Sequence, residues 1–174
     1  MAITINGSGT ITGVSAGGLP DGCVTADDIA SLPSGSVLQV VEGSSSSWAT
    51  STSDASYTSA SISTNITPSS TSSKILAIAH MNGVYKSSGS SSTCLDMQIF
   101  RGSTGLGDFA ATVWETSTSL QMVGSAVFSK LDSPSTTSQI TYDVRFRSRN
   151  NTSTVGVNYA GVSTSKLILM EIAG

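Results

Sequence analysis

At 174 residues the chain holds one ordinary domain and an appendage, too little for a multidomain assembly. Only 11% of its residues are charged and 38% are hydrophobic, Ser and Thr together make up about a third, and the net charge is −3. Low charge with regular apolar alternation excludes a disordered polar chain, and the slightly acidic balance excludes the broad basic surface that nucleic acid requires.

Residues 1–23 carry two short alternating pieces, 3–5 and 10–14, interrupted by Gly7, Gly9 and Gly13 and followed by Gly17 and Gly18. So few apolar groups bury little alone, since an isolated two-strand piece is marginal in water. Ile3, Ile5, Ile11, Val14 and Leu19, with Pro20 beside them, are therefore expected to need a partner surface from a sister subunit or a docking protein. Residues 25–32 predict a helix of one or two turns: Thr25 caps it, Asp28 takes the capping-box position and Pro33 stops it. Residues 1–35 thus read as an attachment and linker segment, and 36–174 as the folded body.

From Ser36 onward strands are expected at 37–41, 57–66, 75–82, 94–101, 109–115, 120–131, 140–147, 155–159 and 166–172, separated by Ser-rich or Gly-rich loops. The clearest is 140–147, where Ile140, Tyr142, Val144 and Phe146 alternate with Thr141, Asp143, Arg145 and Arg147. No helical period intervenes to supply parallel crossovers, so the strands argue an all-β antiparallel sandwich or barrel, and the sandwich is the class expected. Gly124 is expected to mark a bulge or a close backbone approach. If every strand reverses, loops 42–56, 83–93, 116–119 and 148–154 share one end, and loops 67–74, 102–108, 132–139 and 160–165 the other. The first group then displays Trp48, Tyr85, Lys86, Arg149, Asn150 and Asn151 as a tip whose aromatic, amide and cationic groups suit sugar hydroxyls or a protein receptor. A merely solvated tip, or one packed on a neighbouring protein, accounts for the same residues.

Arg145, Arg147 and Arg149 line one strand face, where pairing with acidic neighbours is the simplest reading. His80, the single histidine, alternates with Leu76 and Ile78 and is expected as a hydrogen-bonded interior or interface residue. One histidine with two distant cysteines, Cys23 and Cys94, makes no closed zinc set, so no metal and no cofactor are expected. Cys94 opens an apolar strand and reads as a small buried hydrophobe. No G-x-S-x-G elbow occurs, and residues 102–107 (GSTGLG) lack the Lys and the helix of a phosphate cradle. Nothing in the spacing of Asp96, Asp108 and Glu115 singles them out as a glycosidase pair. No enzymatic activity and no catalytic residue are expected, and no apolar run is long enough to insert in a membrane.

The closing segment adds a resemblance. Asp132, Ser133, Pro134, Thr136, Thr137, Tyr142, Val144, Val157, Asn158, Leu169, Met170, Glu171 and Ile172 follow the order of the block that ends the jelly-roll domains of bacteriophage tail fibres and related virion appendages. The opening AITINGSGTITGVSAGGLPDG is similar to the short attachment segment of such fibres, although the shaft repeats of a long fibre do not occur. The resemblance implies a trimeric, jelly-roll-like short tail fibre, assembled in the host cytoplasm and carried on the virion. Residues 1–35 would anchor it to tail or baseplate proteins, and the body would meet a host surface glycan or protein. The last strand is apolar on most of both faces, so Ile168, Met170 and Ile172 are the candidates for the homotrimer interface. Two alternatives remain open: a capsid decoration or head-fibre protein, and a lectin-like carbohydrate-binding module with no virion role.

Overall fold

The structure, a computed structural model, describes residues 32–89, 92–107, 119–149 and 153–174, together with the backbone of 4–5 and 11–12. The chain divides into two compact units, Met1–Pro33 and Ser34–Gly174. In the first, β1 (Thr4–Ile5) and β2 (Ile11–Thr12) pair antiparallel with Ile5 opposite Ile11. Ile3, Val14, Leu19, Pro20, Cys23 and the helix expected over 25–32, except for Leu32, lie outside the described residues, as does the strand expected over 109–115.

The second unit comprises β3 (Val37–Ser45), β4 (Ala49–Ser51), β5 (Thr58–Ile66), β6 (Lys74–Lys86), β7 (Cys94–Arg101), β8 (Thr104–Gly105), β9 (Met122–Asp132), β10 (Ile140–Arg149), β11 (Val155–Val157) and β12 (Ser165–Ile172). Strand β6 organises one sheet. One of its edges takes β9, while the other takes β12 along the first half and β11 along the second. β11 and β12 therefore run the same way along one line, and β4 and β3 lie beyond them in the same manner. Two interrupted strands, β3/β4 and β11/β12, stand where two continuous ones would. Counted that way, this sheet has the order 1-8-3-6, and the sheet β5-β10-β7-β8 has the order 2-7-4-5. That is the strand order of a jelly roll, the antiparallel sandwich the sequence predicts.

Alternation drives the two sheets together. Ile75, Ala77, Ala79 and Met81 of β6 and Leu167 and Leu169 of β12 share one core with Met97 and Ile99 of β7 and Tyr142, Val144 and Phe146 of β10, all fully buried. Each large apolar side chain so buried contributes about 1.5–3 kcal/mol.

Register breaks once between β6 and β9. Met81 opposes Ala126 and Val84 opposes Gly124, so Asn82 and Gly83 together face Ser125 alone. The extra residue of this bulge therefore sits on β6, across from the Gly124 at which the sequence placed it. Gly83 adopts φ +56°, and a Cβ there would collide with the backbone N of Tyr159, so glycine is required twice over. The bulge also resets the alternation, turning Val84 and Lys86 inward and Tyr85 outward.

At one end of the sandwich, Ser87 N–H donates to Thr154 O (2.9 Å) and Ser148 N–H to Ser53 O (2.9 Å). At the other, Gly35 N–H donates to Ala173 O and Ala173 N–H to Ser36 O, both 2.8 Å, zipping the start of the unit to its finish. Loop 160–165 belongs to neither end. The expected grouping fails there because 155–159 and 166–172 are two parts of one strand direction, not a reversing pair.

Candidate functional site

Directly opposed residues share a face of a sheet, so the pairings map the outer surface of the β6 sheet row by row. One row reads Val40, Met170, Leu76, Leu131, and the next Glu42, Ile168, Ile78, Ser129. A third reads Ser44, Lys166, His80, Val127. Val40, Leu131 and Val127 are 55%, 51% and 66% exposed, while Leu76, Ile78, Ile168 and Met170 are half-buried. Ile172, opposite Val37, extends the apolar strip, and nothing from the chain's own described residues covers it. Ile168, Met170 and Ile172 thus stand together on this outer face.

Past the polar row the same face changes character. The last row is Thr50, Gly156, Tyr85, Val123. Gly156 has no side chain to raise, and a Cβ there would meet Trp48 Nε1 at 3.3 Å and Ala49 O at 2.6 Å. The Trp48 indole accordingly lies down over the sheet at this point, 52% exposed. Tyr159 packs edge-on against it, with ring centroids 5.5 Å apart at 67°, and stacks on Tyr85 at 4.9 Å and 23°. Gln121 Nε2 donates to the Tyr159 hydroxyl at 3.1 Å.

Two side-chain amides, one of them fully buried, hold this aromatic trio. Asn158 is fully buried in the left-handed region (φ 55°, ψ 47°), a conformation that asparagine tolerates better than other side chains. Its Nδ2 donates to Ser47 O (3.0 Å), next to Trp48, and its Oδ1 accepts from Ser165 Oγ (2.6 Å). Asn82, at the bulge, donates through its backbone N–H to the same Ser165 Oγ (2.9 Å) and through Nδ2 to Thr164 O (2.6 Å). Its backbone carbonyl accepts from Asn158 N–H (2.9 Å), and its Oδ1 from Ser125 Oγ (2.8 Å). The breaks in the two interrupted strands are therefore tied to each other and to β6.

The outer face of the β10 sheet is chemically opposite. Arg145 pairs with Asp143 (2.9 Å), and Arg147 and Arg149 converge on Asp96 (3.3 and 3.7 Å), whose side chain is only 2% exposed. Arg145 also lies over the Phe100 ring at 4.2 Å and Arg147 over Tyr57 at 5.0 Å. The arginines lie on one strand face and take acidic partners, as the spacing implies.

At the end nearest Ser34 two carboxylates, Asp132 half-buried and Glu171 fully buried, close the sandwich. Asp132 accepts from the Tyr142 hydroxyl (2.6 Å) and from Arg101 Nη1 (2.8 Å). Burial, then the bonded and charged Asp132, push the Tyr142 phenol well above its ordinary value. Glu171 accepts from Gln39 Nε2 (2.6 Å) and from the Ser69 N–H (2.7 Å) and hydroxyl (2.6 Å). Burial alone would raise its pKa, but these donors outweigh it and hold the carboxyl at about 2.

The described members of the expected tip divide between the two sheets. Trp48 and Tyr85 meet on the outer face of the β6 sheet, joined by Tyr159, whereas Arg149 lies on the β10 face. Lys86 is not a tip residue, because the bulge turns it inward to full burial. Asn150 and Asn151 lie outside the described residues, as do Asp108 and Glu115. His80 is exposed on the apolar face, not interior. Cys94 is buried, its Sγ 3.8 Å from the Arg149 carbonyl oxygen, and residues 102–107 hold the turn and second strand of the β7–β8 hairpin. Among the described residues no group of three or more His, Cys, Asp or Glu side chains is placed to hold a metal ion, and no helix is long and apolar enough to cross a membrane. Sequence reasoning missed Tyr159 and Asn158 as site residues; the turn formers Asn158 and Gly161 around Tyr159 were the available signal.

No family model and no curated protein matches the chain, so the resemblance to phage tail fibres stands on the residues named for it. Among solved structures it is similar to the VP2 subviral particle of infectious bursal disease virus, at 14% identity and a TM-score of 0.33. That match covers 80% of this chain and 39% of the other.

Proposed function

We propose that this chain is a virion structural protein of a bacteriophage, a short tail fibre that assembles as a homotrimer and attaches the particle to its host. The observation that carries this reading is the apolar strip Val40–Met170–Leu76–Leu131 with Ile168, Ile78 and Ile172, which no other described residue covers. Such a strip on an otherwise hydroxyl-rich surface calls for a partner, and copies of the same chain supply one with matching apolar rows. In this reading Ile3, Ile5, Ile11, Val14, Leu19 and Pro20 dock on tail or baseplate proteins, and no reaction is catalysed. Three bodies per fibre and several fibres per particle give high avidity from weak individual contacts.

Light scattering on the purified full-length chain tests assembly: a molar mass of three 17.7 kDa chains is expected, and that of one chain would sink the trimer. Immunogold labelling of intact particles tests placement. Label at the tail is expected, whereas label spread over the head lattice would make the protein a capsid decoration instead.

A further inference from the structure

The remaining half of the same sheet face does not look like an assembly surface. Trp48 is half exposed, yet its position is fixed from below by the Asn158–Ser47 bond and from the side by Tyr159. The backbone bends sharply to achieve this: Asn158 and Ala160, neither of them glycine, adopt left-handed φ at 55° and 56°. Strain of this kind persists only where the surroundings over-determine it, and here the Asn82–Ser165–Asn158 network, with Ser165 and Asn158 fully buried, does so. An exposed ring held this firmly has little rotamer freedom left to lose when it binds.

We infer that Trp48, braced by Tyr159 and Tyr85, is a stacking platform for pyranose rings of a surface glycan. The axial C–H groups of β-linked glucose, galactose or N-acetylglucosamine carry the partial positive charge that the negative face of an indole attracts. Hydroxyls and an amide surround the platform: Ser46, Ser47, Thr50, the Tyr159 hydroxyl and Gln121. Among the described residues the nearest charges on that face, Lys166 and Glu42, satisfy each other at 2.9 Å, which leaves no unpaired charge there to favour an ionic ligand. A shallow, flat, uncharged platform rimmed by hydroxyls matches a neutral sugar better than a peptide. The inference deepens the attachment reading and rests on it only for the owner of the glycan; the stacking is a property of this chain alone.

The test is an NMR titration of the full-length, isotope-labelled protein with cellotetraose, N-acetylchitotetraose and lactose, read at the Trp48 indole N–H. At least one saccharide is expected to shift that resonance saturably, with an affinity weakened at least about tenfold in Trp48→Ala and partly kept in Trp48→Phe. Ser63→Ala, on the opposite sheet, should bind as the native chain does. If no saccharide moves the indole, or if Trp48→Ala binds as well as the native chain, the platform is overturned. Should Trp48→Ala fail to fold, Trp48→Phe decides: native affinity in both Trp48→Phe and Tyr159→Phe overturns it too. Host-cell adsorption separates the two readings. A native protein that adsorbs but binds no saccharide removes the platform and keeps attachment, whereas saccharide binding by a protein that never adsorbs keeps the platform and removes attachment.

Discussion

The two outer faces of this sandwich share a backbone geometry and differ in how they deal with water. On the β10 face the outward positions carry Arg145, Arg147, Arg149, Asp143 and Asp96, and even the outward Phe100 is roofed by a guanidinium. That face finishes its own surface within one chain. On the β6 face the outward positions carry Val40, Met170, Leu76, Leu131, Ile168 and Ile78, and nothing in the described chain covers them. A period of two therefore tells which residues share a face, while composition tells whether that face is meant for water.

The sharpest way to break the contrast is to put the same charge on each face. Met170→Glu, at the middle of the apolar row, is expected to abolish self-association, so that light scattering returns a single chain with an unchanged β spectrum. Ser63→Glu on the β10 sheet should leave the assembly intact. Equal effects from the two substitutions would mean that the apolar strip is not the contact surface.

Next in size is the charge cluster. Asp96 is almost fully buried, and its removal leaves two guanidiniums facing each other without their carboxylate. Because both arginines reach solvent, the loss for Asp96→Ala is expected at about 3 kcal/mol, the low end for a broken buried pair. Denaturant unfolding would measure it. A loss below about 0.5 kcal/mol would show that the cluster is only surface decoration.

Much of this contrast was legible beforehand. The strand at 94–101 has the bounds expected of it, and the alternation over 140–147 assigned Tyr142, Val144 and Phe146 to the core and the arginines to the outside. What misled was local. Lys86 reads as an exposed loop residue until the bulge at Asn82–Gly83 shifts the alternation by one, an event the sequence marks only with a glycine. Tyr159 looked like the end of a strand because a strand resumed six residues later, whereas the chain in between leaves the line of the sheet through a left-handed Asn158. The residues carrying the tail-fibre resemblance have a physical reading as well. Asp132, Tyr142, Asn158 and Glu171 are members of the hydrogen-bonded locks and not of any exposed surface.

The lock at Glu171 makes stability depend on pH. Its carboxyl is held at about 2 against an ordinary 4.5, so the folded state favours the ionised form. The contribution is complete above pH 4.5 and is lost as the pH falls from there towards 2. Native protein should therefore lose roughly 2 kcal/mol more than Glu171→Gln does between pH 6 and 2.5. The substitution itself should cost about 2 kcal/mol at neutral pH, since Ser69 and Gln39 lose a charged acceptor. Parallel pH profiles for the two proteins would exclude Glu171 as the source of acid sensitivity.

The smallest effect is expected where a lock can partly survive. Tyr142→Phe keeps the ring in the core and leaves Asp132 bound to Arg101, so only one hydrogen bond disappears, at about 1 kcal/mol. The same site supplies a check that does not depend on stability. Burial and the Asp132 carboxylate both oppose the phenolate, so Tyr142 must stay protonated while the protein is folded. An alkaline titration followed by phenolate absorbance should show a tyrosine that ionises only on unfolding, and that step should vanish in Tyr142→Phe. If Tyr142 ionised in the folded protein, water would have to reach the floor of the sandwich. The bottom of the β10 sheet would then be as incomplete as the outer surface of its partner, and the division between a finished face and an unfinished one would fail.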